Sequence, residues 1–204
     1  MSIPTSTRPS LLVALRDPQD ERAWAEFVEL YTPLIYGHCV RRGLQDADAA
    51  DVAQEVMKAV AGAMGRFDYN RERGTFRAWL LTVVRSKLNN FFARAARLPT
   101  TPGDTQVTAL AEEPAPADDD AIWEAECRQR MFEWAAARVQ PEFQPSSWQA
   151  FWWTAVEHRA VAEVAAQLGL SAGAVYIARS RIIARLRDEI ESASGDGGLL
   201  SPVG

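Results

Sequence analysis

A chain of 204 residues has room for one domain or two small ones, and a hydrophobic share of 48% is ample for packed cores. A net charge of -5 would argue against a nucleic-acid partner if charge were spread evenly, but cations gather at 66–97 and 179–187 and acids at 112–120. Local field, not total charge, governs docking on a phosphate backbone. The two cysteines, Cys39 and Cys127, lie far apart with no Cys/His spacing, so neither a disulfide framework nor a zinc site is indicated, and free buried thiols are expected, with a redox sensor the lesser alternative. No signal-like start and no apolar run near the roughly 18–20 residues of a membrane span occur, so a cytoplasmic protein is expected, with no membrane partner.

In chain order, residues 1–19 read as a loose tail followed by a short helix, with Ser10 as its N-cap and the Asp17-Pro18 pair as its end. From Asp20 a helix carries Trp24, Phe27, Val28, Tyr31, Leu34, Ile35 and Val40 at helical spacing to a stop at Gly43. Pro33 inside it predicts a kink or short break. The next helix spans about 46–65, with Val52, Val56, Ala59, Val60, Ala63 and Met64 inward. Asp48, Asp51 and Glu55 fall on one outer strip with Gln54 beside them. Stacked like charges repel by a few tenths of a kcal/mol per pair, ~0.2–0.5, so the strip suits a basic partner.

Residues 66–75 (RFDYNRERGT) form a turn-rich loop of aromatics and cations, including Phe67, Tyr69 and Asn70, a composition suited to stacking unpaired bases. It leads into Phe76–Arg97, whose apolar stripe is Phe76, Trp79, Leu80, Val83, Val84, Leu88, Phe91, Phe92 and Ala95. Its polar positions hold Arg77, Arg85, Lys87, Arg94 and Arg97 and no acid, a platform offering uncompensated positive charge to a polyanion. Proline, small residues and acids without a cation mark 98–120 as a linker, extended by its own charge and held off the neighbouring basic surfaces.

A second domain is expected from Ala121 to residue 192, with 193–204 a flexible tail. Ile122, Trp123, Cys127, Met131, Phe132 and Ala135 make the inner face of its first helix. Ser146 and Gln149 fit a capping box opening a helix over 148–157, with Phe151, Trp152 and Ala155 or Val156 inward. In Val161–Leu186, Val164, Ala165 and Leu168 precede a Gly169 corner, Leu170 plugs it, Ser171 caps, and Val175, Ala178, Ile182 and Leu186 face the core. That agreement of small, glycine and apolar positions is a helix-turn-helix pattern. Gly173, Ile177 and Ser180 lie opposite the buried stripe with Tyr176 and Arg181 beside them, while Arg179, Arg185 and Arg187 suit phosphates.

The ordered set, an acidic-stripe helix, a basic platform helix, an acidic linker and a helix-turn-helix, resembles a sigma-70 family RNA polymerase sigma factor of the extracytoplasmic-function (ECF) subgroup. The motifs are the run from Asp46 to Val56, Phe76-Arg-Ala-Trp-Leu80 with its helix, Val161-Ala-Glu-Val-Ala165, Ala174-Val175 and Arg181. The resemblance implies an all-α protein, with sigma region 2 at 20–97 and sigma region 4 at 121–192 joined by the acidic, Pro-containing linker. It implies core RNA polymerase and promoter DNA as partners, no cofactor, no metal and no enzymatic step. An anti-sigma factor is a partner common in the family, and no residue identifies one.

On this resemblance Asp48, Asp51, Gln54 and Glu55 dock on the clamp coiled coil of the polymerase largest subunit. Phe67, Tyr69, Asn70, Arg77, Arg85, Ser86, Asn90 and Arg94 take the −10 element; Ser171, Gly173, Tyr176, Ile177, Ser180, Arg181 and Arg185 take the −35 element. The linker follows the RNA exit path. The family often has Asn where this chain has Ser86, and Lys or Arg where it has Tyr176 beside Ile177, so promoter letters do not transfer. Two rivals stand: a helix-turn-helix regulator independent of core polymerase, which leaves the acidic strip and the acidic linker idle, and a helical carboxylate metalloenzyme on Asp48, Asp51 and Glu55, a kind of site that usually draws ligands from a second helix, in a chain whose only histidines are His38 and His158.

Overall fold

The computed structural model of the chain describes residues 11–65, 75–97 and 118–194. The tail with Ser10, the loop carrying Phe67, Tyr69 and Asn70, the linker as far as residue 117 and the C-terminal tail lie outside them. Every regular element among the described residues is helical: α1 Leu11–Ala14, α2 Glu21–Arg41, α3 Asp46–Met64, α4 Phe76–Ala95, α5 Asp119–Val139, α6 Pro145–Phe151, α7 Val161–Leu168 and α8 Ala172–Ser194. The chain folds as two compact units that divide between Arg130 and Met131, inside α5.

In the first unit, Asp20 caps α2 by accepting from the Ala23 amide at 2.9 Å. Phe27, Leu30, Tyr31 and Ile35 are fully buried, whereas Val28 and Val40, placed on the stripe by spacing alone, are 45% and 39% exposed. The helix runs through Pro33 without the expected break. A proline there leaves the carbonyl of residue 29 without its helical donor. The Arg130 guanidinium supplies a replacement, donating to the Glu29 carbonyl at 3.1 Å. Gly43, at φ 85°, turns the chain toward α3.

On α3 Ala49, Val52, Ala53, Val56, Val60 and Met64 are buried, and on α4 Phe76, Leu80, Leu81, Val84, Leu88 and Phe92. Trp79, Val83, Phe91 and Ala95 are only half-buried, so the covered stripe is narrower than the apolar spacing suggests. The Phe76 ring anchors α4 edge-on to Tyr31 and Phe27, at 5.6 and 6.0 Å between centroids. Each such ring or aliphatic group contributes roughly 1.5–3 kcal/mol on burial.

The N-terminal half of α5 completes this unit, which corrects the domain start expected near Ala121 and the linker end expected at Asp120. Trp123 and Cys127, one turn apart, make an apolar stripe that finds cover here, both fully buried. The Trp123 indole N–H donates to the Arg77 carbonyl at 3.1 Å, and its ring meets His38 edge-on at 5.5 Å. Asp119 and Asp120 form the first turn of α5, where negative charge favours the helix macrodipole. Ile122, expected inward, is 41% exposed.

The second unit buries Met131, Trp134, Ala135 and Val139 of α5. Phe132, expected inward, is half-buried with its ring stacked 6.2 Å from Trp152. The Ser146–Gln149 capping box does not form: Pro145, with its preset φ, starts α6 one residue before Ser146, and Gln144 takes the N-cap position without a side-chain bond. Nor does α6 continue regularly to residue 157. It widens into a π-helical turn over Trp152–Val156, where the Thr154 hydroxyl donates to the Ala150 carbonyl at 2.7 Å. Beyond it, α7 ends at Gly169 in the left-handed region, φ 65°, and α8 departs at 103° to α7. Ala150, Val164, Ala165 and Val175 close the core of this corner, with Trp153, Val161, Leu168 and Leu170 packed on it. These are the small and apolar positions a helix-turn-helix requires.

Candidate nucleic-acid interface

The acidic strip lies on the outer side of α3. Asp51, Gln54 and Glu55 are exposed and Asp48 is half-buried. Glu55 is not idle. Lys58 donates to its carboxylate at 2.9 Å and Lys87 of α4 stands at 4.0 Å, and these cations, the Lys58 hydrogen bond first, lower its pKa. Among the described residues no three His, Cys, Asp or Glu side chains are grouped closely enough to hold a metal ion.

The platform helix α4 splits into two sides, and this corrects the expectation of uncompensated charge. Arg77, expected at the −10 element, is 7% exposed and turned inward, its guanidinium 3.5 Å from the Glu124 carboxylate. Arg85 bonds Asp119 and Asp120, each at 2.7 Å, and Asp119 is 5% exposed. Arg41 of α2 pairs with Glu126 in the same layer. These pairs draw the N-terminal half of α5 onto α2 and α4, so acids assigned to the linker grip the basic surface they were expected to avoid. What remains open on α4 is one face carrying Ser86, Asn89, Asn90, Arg94 and Arg97, all exposed. The Arg94 guanidinium lies over the Phe91 ring, 5.8 Å from its centroid.

His38 sits beneath this layer, 1% exposed, with Nδ1 3.9 Å from Asp119. Burial lowers its pKa to about 4 against the opposing pull of Asp119, so the imidazole is neutral near pH 7. Burial likewise pushes the Cys39 and Cys127 thiols up to about 12, leaving them protonated and unreactive.

In the second unit the Ser171 hydroxyl caps α8, accepting from the Ala174 amide at 3.1 Å. Val175, Ala178, Ile182 and Leu186 face the core; Gly173, Tyr176, Ile177, Ser180 and Arg181 form the exposed side. Arg185, expected at the −35 element, is committed elsewhere. Both oxygens of Glu142 accept from it at 2.7 and 2.8 Å, and Glu189 stands at 2.8 Å. The bidentate pair joins α8 to the turn at Gln140–Glu142. No feature of the spacing signalled Glu142, Asp119 or Glu124, because partners 34 to 47 residues away in sequence leave no periodic trace.

The comparisons with known proteins agree with this geometry. The family model for sigma-70 region 2 matches residues 27–98, which include α3 and α4. The ECF RNA polymerase sigma factor RpoE of Cereibacter sphaeroides is 28% identical over 181 residues, covering 89% of this chain and 93% of that protein. The ECF RNA polymerase sigma factor SigD of Mycobacterium tuberculosis is 30% identical over 181 residues, 85% of this chain and 80% of the relative. With a matched region 2, near full-length similarity and an all-helical two-unit fold, the chain belongs to the ECF subgroup of the sigma-70 family of RNA polymerase sigma factors.

Proposed function

We propose that the chain binds core RNA polymerase through the α3 strip and directs it to promoters through two further faces, one on each unit. Asp48, Asp51, Gln54 and Glu55 dock on a basic surface of the enzyme. The open face of α4, with Ser86, Asn90 and Arg94, joins Phe67, Tyr69 and Asn70 of the preceding loop in taking the −10 element. The exposed side of α8, with Gly173, Tyr176, Ile177, Ser180 and Arg181 behind the Ser171 cap, enters the major groove at the −35 element. Arg77, Arg85 and Arg185 hold these faces in place rather than meet DNA. The single observation carrying the reading is the sorting of charge: acids exposed on one side of α3, and amides and cations on the open side of α4.

The mechanism is binding throughout. Carboxylates facing a basic partner gain Coulomb energy and steer the encounter. Aromatics and amides hold bases once they leave the duplex, each stacked base worth about 1–3 kcal/mol. Sigma factors are not enzymes; the polymerase makes the phosphodiester bond. The working compartment is the cytoplasm, where chromosome and polymerase are.

Run-off transcription with core polymerase on a genomic library tests this. Specific transcripts are expected with the chain and not without it, and Asp51→Lys with Glu55→Lys should abolish polymerase association while circular dichroism shows the helical fold retained. Transcripts from no site, or undiminished association, would refute the reading. A helix-turn-helix regulator that works without polymerase would fail a core-polymerase pull-down yet footprint a promoter on its own.

A further inference from the structure

Six large apolar side chains are substantially exposed among the described residues; Tyr176 at 57% and Ile177 at 56% are the most exposed and the only adjacent pair. They stand in the second turn of α8, after the Ser171 cap, on the part of a recognition helix that meets base edges. Gly173, one turn before Ile177, is not required by packing: a Cβ there would meet only the Ser171 hydroxyl, at 3.9 Å. Glycine weakens a helix, and what it provides here is open space beside Ile177 for a base pair to approach. From Ser171 to Arg187 the sequence has four arginines and no acid, so the surface around the apolar pair is complementary to a polyanion. Arg185 is consumed by Glu142 and Glu189, and Arg181 is the exposed cation one turn beyond Ile177.

Hydrogen-bonding side chains read purines in the major groove, whereas an apolar side chain finds its complement in the 5-methyl group of thymine. Resting on the −35 reading above, we propose that Ile177, with Tyr176 beside it, reads thymine methyl groups, so that this chain selects its upstream element by apolar contact at the positions next to the one Arg181 reads. An isoleucine more than half exposed in the free protein sheds its hydration cost when an apolar group covers it, and the thymine methyl is the apolar group a base pair offers in the major groove.

The test uses holoenzyme assembled from core polymerase and the full chain. Promoters are selected from a duplex library randomised across the −35 region, and each selected thymine is then replaced by uracil, which removes the methyl group and nothing else. Selected sequences should carry thymine at one or two adjacent positions. Uracil there should weaken holoenzyme binding roughly three- to fivefold per methyl, the factor expected for uncovering one methyl-sized group. Ile177→Ala or Tyr176→Ala should lower affinity for the thymine template and abolish the difference between thymine and uracil.

Equal binding of the two templates by the unaltered chain overturns the proposal, as does an absence of selected thymine or a thymine preference that survives both substitutions. If the alanine variants instead lose core polymerase in the absence of DNA, the pair is a protein contact and the proposal fails. Failure of the underlying reading looks different: Arg181→Ala, Tyr176→Ala and Ile177→Ala would all leave the upstream footprint and the selected sequences untouched.

Discussion

Replacing Trp123 by alanine tests whether the first half of α5 is part of the region 2 unit. The ring is fully buried against His38, and its N–H donates to the Arg77 carbonyl at 3.1 Å. Truncating a buried Trp to Ala costs about 3–5 kcal/mol through lost transfer energy and the remaining cavity. The hydrogen bond is a smaller part, about 1 kcal/mol, because the Arg77 carbonyl lies within α4 and retains its place in the helical ladder. Against a typical domain stability of about 5–15 kcal/mol, the loss is large enough to be local and visible. Trp123→Phe keeps most of the apolar area and should cost about 1–2 kcal/mol. The assay is native-state hydrogen exchange read by mass spectrometry, peptide by peptide, beside urea unfolding of the full chain. Protection should fall in α2, α4 and residues 119–130, with residues 145–193 unchanged. Loss of protection confined to 145–193 would refute the assignment and restore the boundary near Ala121.

Three further outcomes follow from the same contacts. His38 has a folded-state pKa lowered to about 4 from an ordinary 6.5, so the unfolded chain binds the extra proton. Its contribution to stability is complete above pH 6.5 and is lost as pH falls toward 4, about 3 kcal/mol in all; in acid-limb urea titrations His38→Phe should flatten that dependence, and an unaltered slope would contradict it. Arg130→Ala should cost at most about 1 kcal/mol, the net worth of its exposed hydrogen bond to the Glu29 carbonyl, and less in a Pro33→Ala background that restores the helical donor; additive losses in the double-mutant cycle would remove the proposed compensation. Arg185→Ala should lower the melting temperature of the second unit by uncoupling Glu142 and Glu189, while Arg181→Ala should leave melting intact and weaken promoter binding; the reverse pattern would exchange their roles.

Local patterns in the sequence placed the helices well and their neighbours poorly. The Gly169 corner, the Ser171 cap and the inward Val175, Ala178, Ile182 and Leu186 depend on spacings of a few residues, and the structure has all of them. The Ser146–Gln149 box also satisfied a local rule, yet Pro145 at the first helical position pre-empted it. Val28, Val40 and Ile122 have helical spacing but stay exposed among the described residues, and periodicity cannot report whether a cover exists. Pro33 shows the converse: a residue that breaks isolated helices lies within α2, and the carbonyl it deprives of a donor is met by an arginine far along the chain.

The largest revision concerns charge, and it has a physical cause. Composition separates a basic platform from an acidic stretch after it and leaves open whether they repel, ignore or bind each other. Asp119 could be buried only because Arg85 stands against it; an unpaired carboxylate at 5% exposure would carry a heavy desolvation penalty. Trp123, one turn on, contributes the apolar burial that draws the acid in. The cations that bind Asp119, Asp120 and Glu124 are therefore engaged within the unit, and the −10 role proposed above falls to Ser86, Asn90 and Arg94, exposed on the opposite side of α4. A helix that looks uniformly basic in sequence thus has two sides, one tied to the acids of α5 and one exposed.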